Sequence, residues 1–199
     1  MKKISACIAA LMITACANLG PSLQTATYTP PDVSQTGRYS QSIDKSFDDT
    51  WTSVIDFVST SSFSIDNFEK DSGLITLTFG ASDPGRYIKC GFFTTSGGNV
   101  GSFSGKYVEY INGVGNIGSS LSGKMNISIR SLSENKTNVR VNARYIWTVG
   151  GQSQSTFSFD TGNSSTIRIS NQTSGTIPTR TCLPTYYAES SVIDFVKSI

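Results

Sequence analysis

Histidine is missing from all 199 residues, and only 15% of them are charged. The first absence removes the Ser-His-Asp triad, the Cys-His pair, the HExxH zinc helix and His-ligated metal sites together. Scarce charge excludes a coiled coil, and 16 Lys+Arg against 14 Asp+Glu exclude a basic nucleic-acid binder. Cysteine is rare, with four in the chain, and no CxxC spacing occurs among them. Long hydrophobic runs are also lacking: the stretch from Ile4 to Ile13 is too short to span a bilayer.

What is present begins at the amino end. Met1-Lys2-Lys3 is a positive start, and with the short apolar run after it gives the pattern of a secretory signal peptide over residues 1–15. The run ends in Ile13-Thr14-Ala15-Cys16, which resembles the bacterial lipobox: an aliphatic residue, two small ones, then cysteine. That resemblance implies cleavage before Cys16, a diacylglyceryl group on its sulfur and acylation of the new amino terminus. Ala17 in place of Asp implies outer-membrane sorting in a Gram-negative cell, with the domain facing the periplasm; a Gram-positive source would place it on the cell membrane. Several acyl chains on one residue suffice for stable anchoring, where a single chain does not.

Loss of the signal removes Lys2 and Lys3 and leaves 14 basic against 14 acidic residues, so the mature chain is formally neutral. Electrostatic capture of nucleic acid or anionic headgroups gains no support from that balance. Cys7 departs with the signal and Cys16 is acylated, which leaves Cys90 and Cys182. Two thiols in an oxidising compartment most simply form one disulfide, worth about 4 kcal/mol for so long a loop. A reactive thiol or a metal ligand is the alternative, without a histidine partner to support it.

Residues 16–37 carry Pro21, Pro30 and Pro31 among Ser, Thr, Gln and Asn, and read as a lipidated cysteine followed by a flexible tether. Some 20 such residues would reach on the order of 25 Å. Residues 38–199 form one domain. Arg38 to Ile43 is a candidate strand, and Ser46-x-x-Asp49 is a capping box. Phe47, Trp51, Val54, Ile55 and Val58 then recur on one helical face, with Trp51 as a core anchor. Phe63 to Phe68 and Leu74 to Phe79 form a hairpin about Lys70-Asp71-Ser72-Gly73. Asp83-Pro84-Gly85 turns the chain into a strand over Tyr87 to Phe93, and the Gly/Ser-rich residues 94–123 read as a long loop or irregular edge strand.

The clearest β signal is the alternation of Met125, Ile127 and Ile129, then Val139, Val141, Ala143, Tyr145 and Trp147, a long hairpin with one buried face in which Trp147 is the second core anchor. Short strands are expected at Thr156–Phe159 and Thr166–Ser170. A terminal helix capped near Thr185 sets Val192, Phe195, Val196 and Ile199 on one face. Ser53-Val-Ile-Asp-Phe-Val58 recurs in full as Ser191-Val-Ile-Asp-Phe-Val196, so both segments should be helical and packed on the sheet. The fold class is therefore α+β, an antiparallel sheet packed by two amphipathic helices.

Strand, helix with an early tryptophan, hairpin with an Asp66-to-Gly73 turn, further strands and a last helix resemble the helix-grip domains of BamC (NlpB)-type outer-membrane lipoproteins. The resemblance implies an accessory of an envelope assembly, held at the membrane and bound to an envelope protein partner. This chain carries one such domain where that family has two. No catalytic residue, cofactor or metal is implied. Gly101 to Tyr107 is one residue short of a phosphate loop and has Tyr107 where Ser/Thr would hold magnesium. Asp66, Glu69 and Asp71 read as solvated turn acids rather than calcium ligands. Three classes remain: a non-enzymatic accessory or scaffold, a helix-grip module holding a small apolar ligand or lipid, and a carboxylate hydrolase needing two facing acids roughly 5–9.5 Å apart. No such pair is placed by the sequence.

Overall fold

The computed structural model describes residues 25–32, 39–97, 101–113, 118–150, 155–162, 165–168 and 179–199. The residues read as a signal peptide, Cys16 and most of the expected tether lie outside them. The chain runs β1 (Thr25–Thr29), β2 (Ser40–Ile43), α1 (Phe47–Thr60), β3 (Ser64–Glu69), β4 (Leu74–Ala81), a 3₁₀ turn at Pro84–Arg86 and β5 (Ile88–Lys89). It continues through β6 (Phe92–Ser96), β7 (Phe103–Lys106), α2 (Tyr107–Gly113), β8 (Ser119–Ser133) and β9 (Lys136–Val149). Last come β10 (Ser155–Asp160), β11 (Ser165–Arg168), β12 (Thr179–Pro184) and α3 (Tyr187–Ser198). Every strand pairing among the described residues is antiparallel, so the fold is α+β with mostly antiparallel sheets.

The β8–β9 hairpin is the spine. Its residues alternate as expected: Met125, Ile127, Ile129, Val139, Val141, Tyr145 and Trp147 are buried while their neighbours face out. β4 joins β8, β3 joins β4, and β10 and β2 both pair with β9 at different points along it. Two smaller sheets, β1-β6-β7 and β11-β12-β5, complete the domain. Gly123 on β8 leaves the space that the Phe79 ring occupies; a Cβ there would lie 2.1 Å from Phe79 Cζ.

α1 and α3 contact β9, and α1 also contacts β8. Ser46 caps α1 as the sequence predicts: its Oγ accepts from the Asp49 N–H at 3.2 Å and donates to the Asp49 carboxylate at 2.7 Å. Trp51, Val54 and Val58 are buried beneath it, and Ala188, Val192, Ile193 and Val196 beneath α3. Burying a valine of this kind contributes about 1.5–3 kcal/mol. The repeated hexapeptides are both helical, and their phenylalanines meet: Phe57 and Phe195 stack at 4.5 Å with planes 15° apart. One face therefore serves twice, against the sheet and against its own repeat.

Five expectations need correction. Residues 25–29, assigned to the tether by their composition, form β1, which pairs with β6 across five positions. Of the two readings of 94–123 the long loop fails and the edge strand holds in part: β7 edges the β1-β6-β7 sheet, while α2 and the first residues of β8 also lie within the stretch, because Tyr107, Val108 and Ile111 find a buried site. The strand expected over Tyr87–Phe93 is broken into β5 and β6 at Gly91, whose φ of 78° is left-handed and whose Cβ would fall 2.1 Å from the Thr29 carbonyl oxygen. β3 alternates in sequence but is exposed along its whole length, with Phe68 59% exposed, since it is the sheet edge. α3 begins at Tyr187 after Tyr186 in the left-handed region; Thr185 still contributes, its Oγ1 accepting from the Tyr187 N–H. β12 had no counterpart in the sequence reading.

Candidate functional site

Cys90 and Cys182 are bonded, 92 residues apart in sequence, and both are buried. The bridge ties the β5–β6 corner to β12. Trp51 and Trp147 are 6% and 0% exposed, so both stand in the core. Trp147 packs 5.8 Å from Phe157. Asp48 pairs with Lys70 at 2.8 Å, Asp66 with Lys124 at 2.8 Å, and Glu69 accepts from Ser72 at 3.1 Å. Asp56 and Asp194 of the repeats face solvent.

One acidic residue had been passed over. Glu189, in the first turn of α3, is 0% exposed. Tyr145 donates to one of its oxygens, and Thr161 donates to the other at 2.7 Å. Thr161 in turn accepts from the Ala143 N–H at 2.6 Å. Burial, and then the Glu189 charge, hold the phenols of Tyr145 and Tyr39 well above the ordinary tyrosine range. When the repeats are superposed in register, Glu189 takes the place of Trp51. A carboxylate at the i−3 position of the Val192–Val196 stripe was the sequence signal for it. Fully enclosed and doubly bonded, it acts as a latch that pins the start of α3 to β9 and to the turn after β10.

Arg180, on β12, is enclosed without a carboxylate among the described residues. It is 8% exposed, and its guanidinium carbon lies 4.4 Å from the Tyr28 ring centre and 5.5 Å from those of Phe93 and Tyr107. Three π faces thus take the place of a counter-ion. Tyr28 also bonds the Thr181 backbone through its hydroxyl, accepting from the N–H at 2.9 Å and donating to the carbonyl at 3.0 Å. This cage fastens β1 to the disulfide-bearing strand.

The accessible chemistry lies on the outer face of the large sheet. Two recesses adjoin there, of about 380 and 360 Å³, sharing Arg140 and Asn142. The first is the notch along β9 between the start of β2 and the turn after β10, walled by Tyr39, Ser40 and Thr161. The second crosses from β9 to β8 and is walled by Asn126, Ser128, Arg130 and Asn138. Of the cations on this face, Lys124 pairs with Asp66 and Arg144 lies 3.9 Å from Asp160. Arg130 and Arg140 form no ion pair among the described residues.

The chain matches no family model, no curated protein and no solved structure. Function therefore rests on the residues themselves. The arrangement offers hydrogen-bond donors and positive charge on a rigid surface and no activated nucleophile among the described residues.

Proposed function

We propose that this protein is a lipid-anchored, non-enzymatic accessory of the cell envelope, docking its domain on an outer-membrane or secretion assembly. The observation that carries this reading is the short charged and apolar leader ending in Ile13-Thr14-Ala15-Cys16. A buried Cys90–Cys182 bridge suits the oxidising compartment that such a leader addresses. The packing of α1 and α3 against one side of the sheet supports a helix-grip arrangement. Between α3 and the sheet the space is taken up by Ala188, Val192 and Val196, each fully buried, which favours docking over carriage of an apolar ligand.

In-cell crosslinking of the tagged chain, with Cys16→Ser as the unlipidated control, tests the reading. One stoichiometric envelope protein, captured by the wild type and lost in the control, is the expected result. Equal membrane recovery of wild type and control would overturn the anchor, and absence of any envelope partner in both would overturn the accessory role.

A further inference from the structure

Arg130 and Arg140 are neighbours by the geometry of the hairpin. In the β8–β9 register Arg130 faces Asn138 and Arg140 faces Ser128, so the two arginines occupy a diagonal of the ladder. Diagonal positions in an antiparallel pair lie roughly 7–8 Å apart, within reach for side chains of this length. Two like charges held side by side on a rigid sheet repel each other, and an acidic residue in the ladder would relieve them. Elsewhere on the same face the chain does supply that relief, at Lys124 and Arg144. Here the groove that the two arginines share is walled by amides and hydroxyls instead; on its other side Arg130 borders a recess with Asp48 and Asp71 but forms an ion pair with neither.

Those neighbours define the ligand. The side chains of Asn142 and Ser128 form no hydrogen bond among the described residues, while the Asn126 side chain accepts one from Thr76 at 3.1 Å and keeps its amide N–H groups. An amide offers both donors and acceptors at a fixed angle, the complement of a sugar hydroxyl. Arginine offers a planar fork suited to phosphate or carboxylate. The groove wall includes no aromatic ring, which a single-stranded nucleic acid would stack upon and which protein interfaces favour as an anchor. Leu74 is its one apolar side chain. A volume of about 360 Å³ is within the range of ordinary ligand sites.

We infer that the groove between Arg130 and Arg140 binds an acidic glycan, the arginines clamping its phosphate or carboxylate while Asn126, Asn142 and Ser128 take its hydroxyls. This goes beyond the accessory role and needs neither lipid nor protein partner. Its test uses the full chain carrying Cys16→Ser, so the outcome is independent of the anchor. Calorimetric titration at fixed ionic strength would use four probes: tetragalacturonate, a phosphorylated maltotetraose, neutral maltotetraose and inorganic phosphate.

A charged oligosaccharide should bind at least tenfold more tightly than the neutral one, and whichever charged probe binds identifies the acidic group. The Arg130→Gln/Arg140→Gln variant should lose at least tenfold in affinity with an unchanged melting curve, since both side chains are exposed. Lys106→Gln/Lys197→Gln, which removes the same charge from β7 and α3, should bind as the wild type does. Equal losses in both double variants would reduce the effect to net charge and overturn the site. Failure of both charged saccharides at millimolar concentration, or inorganic phosphate binding as tightly as either, would overturn it too.

Discussion

Breaking the Cys90–Cys182 bridge should cost this domain a large part of its stability. The two residues are separated by 92 positions, and closing a loop of that length in the unfolded chain corresponds to about 4.6 kcal/mol in the chain-entropy model. Typical domains are stable by roughly 5–15 kcal/mol, so the bridge supplies a third or more of the total. For a domain of this size the loss translates to a fall in Tm of roughly 9–18 °C. The effect is magnified locally, because β12 pairs with β5 through only Leu183↔Lys89 and Pro184↔Ile88. Both sulfurs are buried, so reductant added to the folded chain reaches them only through opening. Urea titrations should therefore start from chain reduced while unfolded and compare it with the oxidised form; a Cys90→Ala/Cys182→Ala variant gives the same comparison without reductant. The reduced chain should show a lower midpoint and a steeper slope, since its unfolded state exposes more surface. A midpoint unchanged on verified reduction would refute the reasoning.

Two further outcomes are expected. Burial, the largest effect, pushes the Tyr107 phenol up to about 12, and Tyr145 and Tyr39 are raised further, by burial and then by Glu189. Because unfolded phenols ionise near 10, the stability held by these groups is complete below about pH 10 and is lost as pH rises from there towards 12. Phenolate absorbance should show a late step coincident with loss of circular dichroism, and Tyr145→Phe should remove one phenol from it; ionisation of Tyr145 in a still-folded chain would contradict this. Gly123→Ala should destabilise by about 1–3 kcal/mol through collision with Phe79, read from a urea midpoint. Phe79→Leu in the same chain should restore part of the loss, and a neutral Gly123→Ala would show that the ring simply moves.

Legibility in the sequence followed the range of the interactions. The β8–β9 hairpin could be read because its alternation is local, and α1 because Ser46 and its apolar face lie within fourteen residues. β1 could not, since Thr25-Ala-Thr-Tyr-Thr29 has one large apolar side chain and its place depends on Gly91 and on Arg180, over 150 residues away. β3 was read as a strand but not as an edge, a property of the neighbour it lacks. Glu189 was hidden for the same reason as Arg180: its partners Tyr145 and Thr161 come from β9 and from the turn after β10, 44 and 28 residues away. The groove of Arg130 and Arg140 was half visible. Their alternation marks them as outward-facing, but their diagonal placement and the amide and hydroxyl wall they share emerge only from the register.

The placement of β1 sets the length of the leash. If Cys16 is the anchor proposed above, only residues 17–24 separate it from a strand already built into the domain. Eight residues extend at most about 28 Å. A domain of 175 residues, from Thr25 to Ile199, is wider than that, with a radius of gyration of about 16 Å. Under the proposed anchoring it would not swing freely around such a short leash. The end bearing β1, the Arg180 cage and the disulfide would be kept beside the bilayer, and whatever the protein meets would have to come to the membrane surface to meet it.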